Sequence, residues 1–183
     1  VDYFNFNYIK RRKLKMIKFR ELSNFSNVKT FPNIKAHVDM DNYRVVIADQ
    51  ANEVTSFGTV QAPGQDLCVV MQWLYQRTGD LFFGQRGVKQ GERTLCVGLE
   101  SLATRFLDVG AQHITGGLDA DGALTVVAGD ALIPDGTGNW VVGAVPTAGV
   151  YLLVTGFTTL PFHGNEGKGP MTEPAVIAQI ISL

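Results

Sequence analysis

The sequence predicts a mainly β fold, a sandwich or barrel-like antiparallel domain with one short helix. Three observations carry that expectation. From Thr115 onward, short apolar runs alternate with turn-forming residues at nearly strand-length intervals, the pattern of many short strands rather than of a parallel α/β sheet. Runs such as Leu81-Phe82-Phe83 and Val150-Tyr151-Leu152-Leu153-Val154 are apolar on successive residues, so both faces of those strands need cover, from two packed sheets or an oligomeric interface. The best helical signal comes from Leu99, Leu102, Ala103 and Phe106, which predicts a short helix over 100–107, closed near Gly110.

Each element follows from local chemistry. Phe19, Leu22, Phe25 and Val28 recur every three residues and suggest a helical turn or two before Pro32. Ile34, Ala36, Val38 and Met40 alternate with polar residues, and Asp41-Asn42 then offers a turn into 43–47, which predicts a hairpin. A third extended piece covers 54–61 and stops at Ala62-Pro63-Gly64. Residues 67–75 and 81–83 flank Thr78-Gly79-Asp80 as a second hairpin, and 94–99 leads into the helix. Later strands are expected at 123–127, 131–133, 140–145, 150–159 and 175–183, separated by Asp-Gly, Gly-Asp and Pro-Asp-Gly turns. No constant repeat period accompanies them, which argues against a propeller or solenoid.

The 183 residues fit one domain, expected at 16–183. An apolar share of 45% against 18% charged places the chain among folded proteins rather than disordered ones. No apolar run approaches the ~18 residues of a membrane-spanning helix. The net charge of −1 hides an asymmetry: Lys10, Arg11, Arg12, Lys13, Lys15, Lys18 and Arg20 face only Asp2 within the first twenty residues, and the remainder is strongly acidic. A basic arm of this kind binds nucleic acid or phosphate surfaces by counterion release. The favoured reading is different: Met16-Ile17-Lys18-Phe19 has the character of a protein start, and the codons for Arg11-Arg12-Lys13 read as a ribosome-binding sequence. Residues 1–15 are therefore expected to be a leader, or else a disordered basic arm, and stay outside fold reasoning.

Residue types that carry chemistry are present without the spacing that chemistry requires. Cys68 and Cys96 sit in apolar runs, where free cysteine behaves as a small buried hydrophobe, and there is no CxxC. Asp119-x-Asp121-Gly122 begins like a calcium loop but lacks the later carboxylates, so a β-turn is expected. His37, His113 and His163 form no local metal motif, no G-x-S-x-G elbow occurs, and Gly167-Lys168-Gly169 lacks the Ser or Thr of a phosphate loop. No cofactor or metal site is expected. The loop carrying His163, Asn165, Glu166 and Lys168 is the most suggestive surface, and is expected to be a partner-contact loop, since glycines permit close backbone approach. Trp73, Tyr75, Phe82, Phe83, Trp140, Tyr151, Phe157 and Phe162 offer carbohydrate stacking, although aromatic residues in strands more often fill cores or interfaces.

The segment 126–145, with its apolar strands divided by Gly129-Asp130 and Asp135-Gly136, resembles small phage head-decoration and other virion-surface β proteins, and 149–159 continues the pattern. That resemblance covers the C-terminal part of the chain. It implies a non-enzymatic virion protein, a capsid decoration or head-associated component that binds capsid subunits and self-associates. A soluble glycan- or protein-binding β module is the alternative. A hydrolase whose His113 or His163 meets a carboxylate and a serine in space is the third reading.

Overall fold

The computed structural model describes residues 17–19, 28–31, 33–41, 43–59, 61, 65–71, 88–162 and 171–183. These form twelve strands: β1 Ile17–Phe19, β2 Thr30–Phe31, β3 Val45–Asp49, β4 Val54–Ser56, β5 Gln65–Val70, β6 Cys96–Gly98, β7 Phe106–Gly110, β8 Ile114–Thr115, β9 Ala131–Pro134, β10 Trp140–Gly143, β11 Val150–Phe162 and β12 Met171–Ser182. Sheet A runs β1-β7-β12-β11-β9-β10-β8 and sheet B runs β2-β6-β5-β3-β4. Every neighbouring pair is antiparallel except β8 and β10, which are parallel. The expected mainly β, two-sheet architecture is the one found.

Sheet A cannot be flat. Gly110 ends β7 and Ile114 begins β8, with only the 3-10 turn Ala111–His113 between them. That link reaches at most ~14 Å, yet β12, β11, β9 and β10 intervene in the sheet, which at ~4.8 Å per strand step would separate β7 from β8 by roughly 24 Å if laid flat. The sheet must curl to bring its two sides together. At this seam Gly117 donates its N–H to the Ile114 carbonyl, and the Gly117 carbonyl accepts from Thr125. A Cβ on Gly117 would lie 2.8 Å from Ile114 Cβ and 2.9 Å from the Ala111 carbonyl oxygen, so no larger residue fits without displacing backbone.

The concave side of sheet A packs on sheet B. Leu107, Val109, Leu132, Trp140, Leu152, Val154, Val176, Ala178 and Ile180 meet Val45, Ile47, Leu67, Val69 and Val97 in one core. The alternate residues of sheet B, namely Val46, Ala48, Cys68, Val70 and Cys96, belong to a second cluster with Phe31, Ile34, Ala36, Met40 and Val88. Sheet B is thus covered on both faces, which explains why its strands read as continuous apolar runs. Val150, Tyr151, Leu152 and Val154 are likewise buried.

Several local expectations are corrected. Residues 34–40 do not pair with 43–47; they cross sheet B through isolated bridges of Lys35 to Val54 and Arg93 and of Met40 to Val88. Tyr43 adopts φ +66 and donates its N–H to the Val70 carbonyl, while Val70 donates to Arg44, so this segment takes β5 as its partner instead. The helical signal at 100–107 is realised only as the 3-10 turn Glu100–Leu102. Thr104 at φ +72 breaks the helical path, and Leu107 and Val109 then alternate with Asp108 as β7, paired to β12. Phe19, expected on a helical turn, lies in β1 beside β7. Residues 123–127 supply only the Leu118–Leu124 bridge. The hairpin expected across 67–75 and 81–83 falls outside the described residues beyond Met71.

Replacing Gly117 with alanine is expected to destabilise the fold by about 1–3 kcal/mol, the usual cost of forcing volume into a packed site. Equilibrium urea unfolding measures this, and an unchanged midpoint would show that the seam tolerates the added methyl group.

Candidate functional site

The longest elements among the described residues, β11 and β12, form a hairpin whose registered pairs run from Val150–Ser182 to Phe162–Met171. Its neighbours stop earlier. β9 pairs with β11 only at Leu152 and Leu153, followed by hydrogen bonds from Gly129 and to Asp130 at Val154. β7 pairs with β12 only over 175–179. Among the described residues, 155–162 and 171–174 therefore continue as a two-stranded ribbon with no further strand beside it.

A bulge at the root of the ribbon decides what it presents. Register shifts between Val154 and Gly156, and Thr155 donates its hydroxyl to the Ile177 carbonyl. The extra residue restores alternation with β12: Phe157 opposes Val176, on the core side, and Leu160 opposes Glu173, on the convex side. Leu160, Glu173 and Ala175 are buried on the convex side. On the other side Phe157 is 50% exposed, and Thr155 and Thr159 are exposed beside it.

Other apolar side chains gather at the same end of sheet A. Val142 on β10 is 44% exposed opposite Leu132, Val145 just beyond β10 is 55% exposed, and Val127, in the turn that joins β11 at Val154, is 59% exposed. No Asp, Glu, Lys or Arg occurs between Asp135 and Glu166. This charge-free interval, which includes β10 and all of β11, is a sequence signal that the reading by motifs passed over. Exposed apolar side chains gathered on one part of a surface are a mark of a contact site.

Two carboxylates beside the strands of sheet A, Asp119 and Asp135, are held in turns, whereas Asp108 and Glu173 lie buried within β7 and β12. Asp119 accepts the N–H groups of Asp121 and Ala123 at 2.9 and 2.8 Å, as expected of a β-turn. Asp135 accepts hydrogen bonds from the hydroxyls of Thr115 and Thr137 at 2.5 and 2.7 Å and from the backbone N–H groups of Thr137 and Asn139 at 2.7 and 3.0 Å. The turn it organises clasps sheet B: Arg44 donates to the Asn139 side chain at 2.7 Å, and Val45 N–H to the Gly138 carbonyl at 3.1 Å. Gly138, at φ +89, approaches Phe57 so closely that a Cβ would lie 2.6 Å from its ring. Among the described residues, no group of three His, Cys, Asp or Glu side chains is placed to hold a metal ion.

The remaining candidates are dispersed. Cys68 and Cys96 are free and buried on adjacent strands, and burial pushes both thiols up, Cys96 to about 12, away from thiolate chemistry. His37 Nδ1 lies 2.8 Å from the Thr55 hydroxyl, with the Phe57 ring edge-on at 4.5 Å, and desolvation lowers its pKa. His113 is fully buried at the seam, its ring 6.2 Å from that of Tyr43. Lys29 pairs with Asp66 at 2.8 Å, and Gln50 donates to the same carboxylate. Trp140 and Tyr151 belong to the buried interior, not to an aromatic trough. His163, Asn165, Glu166 and Lys168 lie outside the described residues, as do Trp73, Tyr75, Phe82 and Phe83. Among the described residues, no helix is long and apolar enough to cross a membrane.

Asp135 gives this clasp a pH dependence. Partial burial opposes its charge, but the hydrogen bonds from Thr115, Thr137 and Asn139 outweigh that effect and hold the carboxyl at about 2, below its ordinary 3.8. Because the folded value is depressed, the contribution is complete above pH 3.8 and is lost as pH falls through about 2. Asp135→Asn is expected to lower stability at neutral pH, with the gap to the wild type closing between pH 3.8 and 2 in acid-unfolding curves; a gap that persists at pH 2 would contradict this. Compared with known proteins, the chain matches no family model, no curated protein and no solved structure.

Proposed function

We propose that the chain is a non-enzymatic structural component of a bacteriophage virion, a capsid-decorating or head-associated protein that binds capsid subunits through the end of sheet A that carries exposed apolar side chains. The observation that carries this reading is the set of exposed apolar side chains Val142, Val145 and Phe157 on and beside β10 and β11, within a segment of the chain that holds no charged residue. Covering such a surface gains free energy from excluding water, roughly 25 cal/mol per Å² of apolar area. Capsid lattices repeat one surface many times, so a modest contact of this kind is multiplied by the number of copies bound together. The buried thiols and the carboxylates fixed in turns serve the fold, and they leave recognition to shape and apolar area. The virion assignment itself rests on the resemblance of 126–145 to head-decoration proteins.

Incubating the full chain with phage capsids from the source genome and sedimenting the particles tests the proposal. Saturable co-sedimentation is expected, together with its loss in a Val142→Glu, Val145→Glu double variant whose thermal melt matches the wild type. A chain that stays in the supernatant, or one that binds a glycan array instead, would remove the capsid reading.

A further inference from the structure

The sequence holds the dipeptide Asp-Gly twice, at Asp121-Gly122 and at Asp135-Gly136. Such a pair is among the most reactive settings for an aspartate, because glycine has no Cβ to hinder attack by its own backbone nitrogen on the preceding side-chain carboxyl. The fold gives the two copies opposite surroundings. Residues 119–123 are all exposed, and a Cβ added to Gly122 would meet nothing within 4 Å. The Asp119 carboxylate takes the N–H groups of Asp121 and Ala123, and the Gly122 N–H reaches the Asp119 carbonyl at 3.2 Å, so Asp119, and not Asp121, supplies the acceptors that shape this turn. Asp135 and Gly136, in contrast, are half-buried. The Asp135 carboxylate is held by Thr115, Thr137 and Asn139, and Gly136 packs on Thr59, whose methyl group would lie 3.3 Å from an added Cβ.

We propose that Asp121-Gly122 is a site of spontaneous isoaspartate formation, and that the fold protects Asp135-Gly136 from the same reaction. The Gly122 nitrogen attacks Cγ of Asp121 in its protonated form. The N–Cγ bond forms, the Cγ–OH bond breaks, and the hydroxyl leaves as water with the amide proton, closing a five-membered succinimide. Solvent water then adds to a carbonyl of the ring. Opening at the main-chain carbonyl breaks its bond to nitrogen and leaves the chain running through the side-chain carbons, which adds one methylene to the backbone. At Asp135 the first step is blocked twice. Its carboxyl would have to leave the hydrogen bonds from Thr115, Thr137 and Asn139 to turn toward the Gly136 nitrogen. Its protonated form is also scarce, since a carboxyl held at about 2 rather than 3.8 is protonated less often by more than roughly tenfold at any pH above both. A backbone lengthened at 121 no longer matches the spacing of the two N–H groups around the Asp119 carboxylate, so the reaction loosens this turn, while sheets A and B, which take no strand from 119–123, keep their pairing. The reaction needs no partner and does not depend on the proposed function.

Ageing the full chain for several weeks, warm and at neutral pH, tests it, with isoaspartate located by electron-transfer fragmentation of its peptides and quantified by methyl transfer from S-adenosylmethionine with a protein-isoaspartate methyltransferase. Isoaspartate is expected to accumulate at 121 at least roughly ten times faster than at 135. A parallel sample unfolded in guanidinium chloride is expected to form it at similar rates at both positions. Asp121→Glu is expected to abolish the signal at 121 with an unchanged melting temperature, since the six-membered ring closes far more slowly, and Asp121→Asn, whose amide is the better electrophile, is expected to raise it. Equal rates at 121 and 135 in the folded chain, no isoaspartate at 121 in the folded chain, or the same preference for 121 in the unfolded sample would each overturn the proposal.

Discussion

The short link Ala111–His113 governs the rest of the architecture, since three residues must carry the chain from one side of a seven-stranded sheet to the other. Backbone reach is a hard limit, and the sheet answers it by curling. Curling creates the concave surface that packs on sheet B, places Trp140 and Leu132 in the same interior as Val69 and Val97, and leaves the seam fully buried at His113. The clasp around Asp135 then fastens the curled edge, β8 through Thr115, to β3 through Val45. A flat sheet with the same strands would have neither contact.

Much of this was legible in the sequence because strand chemistry is local. Turn residues at 129–130 and 134–139 flank β9 and lead into β10 as expected, and β9, β10, β11 and β12 fall where apolar runs lie, whereas the turn at 119–122 is followed by no strand at 123–127. The failures share a cause. Leu99 and Leu102 do sit in the core as helical spacing requires, but one turn suffices to place them, and the pairing of β7 with β12 claims the following residues. Ile34, Ala36 and Met40 alternate because they cover a sheet face, not because they pair beside β3. Period-two burial specifies which side of a segment is dry; it says nothing about which neighbour dries it.

The contact surface was hidden from motif reading for a related reason. Catalytic and metal sites announce themselves by residue types at fixed spacing, whereas a contact surface is announced by what is missing. Val142, Val145 and Phe157 look individually like core residues in strands. Only their exposure and the charge-free interval from Asp135 to Glu166 set them apart. The carboxylates that drew attention, Asp119 and Asp121, belong to a turn in which the Asp119 side chain is occupied by backbone amides.

Strand order has a temporal side as well. β11 and β12 occupy the middle of sheet A, between β7 and β9, yet they follow the other described strands in the chain. While the protein is being synthesised, β7 and β9 wait without the partners that join them, and the curled sheet has two flanks and no centre. Sheet A therefore closes in a late step dominated by contacts distant in sequence, the regime in which folding is slow and partly formed sheets are prone to misassociate. Sheet B needs only residues up to 98 to complete its ladder, so the order of translation makes it the platform on which the other sheet is assembled.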